Sequence, residues 1–63
     1  MTPAAFQQWL ADMRAAGLIR YDIDAAKKLD ISANAVVTMK GRGADTRTAL
    51  ACQALLNELE PYA

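Results

Sequence analysis

Apolar positions recur at helical spacing from the start of the chain. Phe6, Trp9, Leu10 and Met13 fall on one face, with Gln7, Gln8, Asp12 and Arg14 between them. Thr2 is a preferred N-cap residue, and Pro3 at the first helical position gives up no hydrogen bond. Gly17 supplies a natural stop, so the pattern predicts a first helix from about Pro3 to Ala16, followed by an apolar connector of Leu18, Ile19 and Tyr21. Asp22 is the expected cap of a second, short helix ending near Leu29. Ala25, Ala26 and Leu29 form its apolar face, while Lys27 and Lys28 point outward as solubilising charges. Asp30-Ile31-Ser32 breaks the pattern, and Ser32 caps a third helix. Ala35, Val36 and Met39 form the inner stripe of that helix, and Ala33, Asn34, Val37 and Thr38 its outer side. Gly41-Arg42-Gly43 reads as the loop that ends it. Asp45 or Thr46 caps a last helix, from Thr48 to Leu59, before Pro61 stops it. Leu50, Cys52, Leu55, Leu56 and Leu59 are its large apolar positions, with Ala49, Ala51 and Ala54 widening the stripe. The expectation is an all-α chain of four helices, or five if the Gly43–Thr48 stretch carries its own short turn.

Length sharpens this picture. With 63 residues the chain is one domain, spanning 1–63, and buries a modest share of its surface. One cysteine and no histidine remove both a disulfide and a zinc cluster as staples, so a second subunit is the natural source of extra stability. No apolar run approaches the roughly 20 residues that cross a bilayer. The N-terminus lacks the pattern of a signal peptide, which predicts a cytoplasmic protein with Cys52 reduced.

Catalysis finds no support in these residues. No Ser, Cys or Lys has a base partner at a legible spacing, and the Gly41–Gly43 loop lacks the strand-to-helix setting of a phosphate cradle. Neither a cofactor nor a small-molecule substrate is expected. Cys52 reads as a core or interface residue rather than a reactive thiol.

The stretch from Asp22 to Gly43 acts as one unit: two short helices joined by a tight turn. Ala26 is small where two helices cross steeply, Ile31 plugs the corner, and Val36 and Met39 pack back on the preceding helix. In Ala26, Leu29, Ile31, Ser32, Val36 and Met39 this segment resembles the core of the Cro/CI-type (XRE) repressor family of helix-turn-helix proteins. The glycine-containing loop after it resembles that family too, as do the two ends of the chain. The resemblance implies a four- to five-helix lambda-repressor-like DNA-binding domain, and hence a phage- or prophage-type repressor that binds a two-fold operator as a homodimer. It also implies that Ser32, Ala33, Asn34, Val37 and Thr38 meet base edges in the major groove of double-stranded DNA. Asn34 can pair with adenine, and the small apolar groups can meet thymine methyls, which favours A·T-containing sites. Lys40, Arg42 and Arg47 are the expected phosphate contacts, and Leu55, Leu56, Leu59 and Tyr62 the expected dimer interface.

Two positions depart from the family pattern. Asp30 replaces the turn glycine, where a left-handed backbone is expected. Asp22 and Asp24 stand where the family opens its second helix with glutamine, and a carboxylate there repels phosphate. Net charge is zero, seven basic against seven acidic residues, which works against binding driven by phosphate neutralisation. Between Met39 and Thr48, however, Lys40, Arg42 and Arg47 face only Asp45. The competing expectation is therefore a helix-turn-helix scaffold that binds protein instead of DNA, as an antitoxin-like or phage structural partner.

Overall fold

Four helices, and no strands among the described residues, make up the computed structural model, which describes residues 1–59. They are α1 (Pro3–Ala15), α2 (Asp22–Leu29), α3 (Ala33–Arg42) and α4 (Thr46–Leu56). The starts follow side-chain chemistry. Thr2, Ser32 and Asp45 each accept a hydrogen bond from the backbone N–H three residues on, at 3.1, 3.1 and 2.7 Å. At α2 the cap is Tyr21, not Asp22. The task falls to Asp24, whose carboxylate reaches back to the N–H groups of Arg20 and Tyr21 at 3.0 and 2.9 Å.

Three helices end alike. The backbone at Gly17, Asp30 and Glu58 turns left-handed. The next residue's N–H then bonds back five residues, Leu18 to Met13, Ile31 to Ala26 and Leu59 to Ala54, at 2.9–3.0 Å. Asp30 thus takes the conformation its place in the turn demanded, at φ 58°. Three expected boundaries move. The last helix starts at Thr46, two residues before the expected Thr48, because Asp45 caps it. The third helix runs through Gly41 to Arg42, so the loop is shorter than the two glycines suggest, and Gly43 at φ 89° ends it. The last helix stops at Leu56, because Glu58 adopts the left-handed turn before Pro61 is reached. Residues 43–45 form no helix of their own.

The core gathers Phe6, Trp9, Leu10 and Met13 of α1 with Ile19, Ala25, Ala26, Val36 and Cys52. Ala25 and Ala26 are nearly sealed from solvent, and their lack of bulk lets α2 lie close to its neighbours. Phe6 and Trp9 stack at a tilt, centroids 5.5 Å apart. The Trp9 indole N–H donates to the Cys52 carbonyl at 2.9 Å, tying α1 to α4 inside the core. Met1 pairs with Ala44 through two hydrogen bonds of 2.9 Å, which fastens the start of the chain to the α3–α4 junction.

Candidate nucleic-acid interface

The unit α2–turn–α3 carries every residue expected to read bases. Ser32 is spent on its cap, although it is exposed. Ala33, Asn34, Val37 and Thr38 form the outer side of α3, and all four are exposed. Val37 keeps 67% of its surface in solvent. The inner side holds Val36, fully buried, with Ala35 and Met39 partly so. This division follows from the helical period once the turn at Asp30 sets the rotation of α3. Thr38 bonds its hydroxyl to the Asn34 carbonyl at 3.0 Å, one turn back, so its methyl is the group it offers outward. Gly41 extends the same face without a side chain.

The expected phosphate contacts divide. Arg42 and Arg47 are exposed at the end of α3 and the start of α4. Lys40 is half-buried, and its ammonium lies 2.8 Å from the Asp22 carboxylate. The other oxygen of that carboxylate holds Arg14 of α1 at 3.0 Å. The acid expected to repel phosphate is therefore flanked by two cations. Arg14 was not legible as part of this site, because only the α1–α2 connection brings positions 14 and 22 together. Gln7 of α1 donates to the Lys40 carbonyl, fixing the backbone beneath that lysine.

The expected dimer residues also divide. Leu55 and Leu56 are partly buried and pack against the chain's own core, while Leu59 is exposed. Tyr62 lies outside the described residues. Leu50, expected among the apolar stripe of the last helix, is 68% exposed instead.

The titratable groups here serve structure. Backbone hydrogen bonds from Tyr21, then Arg20, hold the Asp24 carboxyl below the usual range. Thr48, through its hydroxyl and then its N–H, does the same for Asp45. Burial pushes the Cys52 thiol up to about 11, which removes it as a nucleophile near neutral pH. No group of residues with metal-binding potential, and no helix long and apolar enough to cross a membrane, occurs among the described residues. Comparison with protein-family models, curated proteins and solved structures finds no match to this chain.

Proposed function

We propose that this chain is a sequence-specific DNA-binding regulator of the Cro/CI repressor type, reading the major groove with α3. The observation that carries this reading is the exposed face of Ala33, Asn34, Val37 and Thr38 on the second helix of a pair joined by a three-residue turn. Asn34 offers an amide to adenine, and Ala33, Val37 and the Thr38 methyl suit thymine, so the expected site contains A·T pairs. Arg42, at the end of α3, and Arg47, at the start of α4, are exposed and serve as phosphate contacts in this reading. A domain this small makes few contacts, and pairing of two copies on a two-fold operator is the remedy. The exposed apolar positions available to that pairing on α4 and just after it are Leu50 and Leu59, joined by the uncovered parts of Leu55 and Leu56.

Selection from a random duplex library, followed by affinity measurement on the selected site, tests this. Asn34→Ala is expected to weaken specific binding by about 1–3 kcal/mol with helicity unchanged. Val36→Ala, in the core, is expected instead to lower stability by on the order of 2 kcal/mol. Equal affinity of wild type and Asn34→Ala for the selected site would remove α3 from the groove.

Two observations favour a second reading, a protein-binding use of the same scaffold. Net charge is zero, and Tyr21, Ile23 and Val37 expose apolar surface on the α2–α3 unit. Absence of any duplex binding at low salt would leave this second reading standing and sink the first.

A further inference from the structure

The cluster of Arg14, Asp22 and Lys40 joins three helices through one carboxylate. Arg14 lies in the last turn of α1, Asp22 opens α2, and Lys40 lies in the last turn of α3. One Asp22 oxygen accepts from the Arg14 guanidinium at 3.0 Å and the other from the Lys40 ammonium at 2.8 Å. All three side chains keep 36–46% of their surface in solvent. Ion pairs this exposed add little to stability, so exchanging the carboxylate for another anion costs the fold little. Two cations against one anion leave the cluster net positive. The carboxylate presents to these donors the same pair of oxygens that a phosphodiester presents through its two non-bridging oxygens. Lys40 belongs to the helix whose outer face carries Asn34, Val37 and Thr38, and the Gln7 hydrogen bond fixes its backbone.

We propose that Arg14 and Lys40 form a seat for a DNA backbone phosphate, and that Asp22 is its intramolecular occupant. Resting on the DNA-binding reading above, the inference adds Arg14 to the interface and gives Asp22 a restraining role. When the duplex docks, the two cations turn from the carboxylate to a phosphate. The carboxylate stays nearby and lowers the gain, so the free chain binds more weakly, and with less salt dependence, than its exposed cations would allow.

The test measures binding of the full chain to a short random-sequence duplex by fluorescence anisotropy over a salt series. Asp22→Asn is expected to bind more tightly at low salt. Its plot of log affinity against log salt is expected to steepen by about 1–2, since each phosphate contact adds roughly 0.9. Asp12→Asn removes the same charge from α1 without touching either cation, and is expected to leave the slope alone. In a chain carrying Arg14→Gln and Lys40→Gln, adding Asp22→Asn is expected to leave the slope unchanged. Circular dichroism checks that each variant stays folded. An Asp22→Asn slope equal to wild type or to Asp12→Asn, or a steepening that survives loss of both cations, overturns the seat while DNA binding itself stands. Failure of wild type and Asp22→Asn alike to bind at low salt overturns both readings.

Discussion

Asp30 shows what a single residue decides. It holds the turn between α2 and α3 with a left-handed backbone, φ 58° and ψ 46°. A side-chained residue pays for that conformation and glycine does not, although glycine also loosens the unfolded chain. Asp30→Gly is expected to raise stability by up to about 1 kcal/mol, or a few degrees in thermal melting. A lower melting temperature would mean that the Asp30 side chain contributes something beyond its backbone. The need for this conformation was legible only through the resemblance, which sets Asp30 at the position of the family's turn glycine. The environment of Cys52 was legible only as a type. Its apolar position announced a buried residue, but its backbone carbonyl also serves as acceptor for Trp9, a role carried by no side-chain signal.

At the scale of the element, each helix start is fastened by a polar side chain. Two of these fastenings titrate. Asp24 at α2 and Asp45 at α4 both have carboxyl pKa values depressed in the folded chain. A depressed carboxyl contributes stability that is present above its unfolded value, about 3.9, and is lost as pH falls through the folded one. Stability is therefore expected to hold from mildly acidic to neutral pH, with no histidine to titrate between, and to fall below about pH 4. Urea midpoints at a series of pH values measure this. Asp24→Asn combined with Asp45→Asn is expected to flatten the acid limb, and an unchanged limb would place the acid sensitivity elsewhere. Helix existence and inner faces were readable because burial imposes a 3.6-residue period. Phe6, Trp9, Leu10, Met13 and Val36 are buried as their spacing requires. Helix ends were less readable. Gly41 resembles a terminator but lies inside α3, since a glycine near a helix end is tolerated when the next one is better placed to stop it.

For the molecule as a whole, the two glycines after Met39 behave in opposite ways. A Cβ on Gly41 would meet nothing within 4 Å, while one on Gly43 would lie 2.3 Å from the Met1 carbonyl oxygen. Gly41→Ala is expected to raise stability by up to about 1 kcal/mol, through helix propensity alone. Gly43→Ala is expected to lower it by on the order of 2 kcal/mol or more, because the backbone there is left-handed and the N-terminal segment must give way. Thermal melts of the two variants compare them directly. Equal effects would mean that the Met1–Ala44 pairing does not hold the chain start in solution. Nothing in local pattern distinguishes these two glycines. Their difference is set by a segment more than forty positions away, since Met1 and Ala44 are 43 apart.

The sequence by itself determined that the chain is all-helical, roughly where the helices lie, which faces of α1, α2 and α3 turn inward, and that Ala33, Asn34, Val37 and Thr38 turn outward. Periodicity and capping chemistry are local, and local signals survive in one dimension. Tertiary structure alone decided that Asp22 is held between Arg14 and Lys40, that Leu55 and Leu56 spend surface on their own core, and that Leu50 faces solvent. Those outcomes depend on how helices lean against one another. That packing is chosen by the whole set of side chains filling one core, and no single segment carries it.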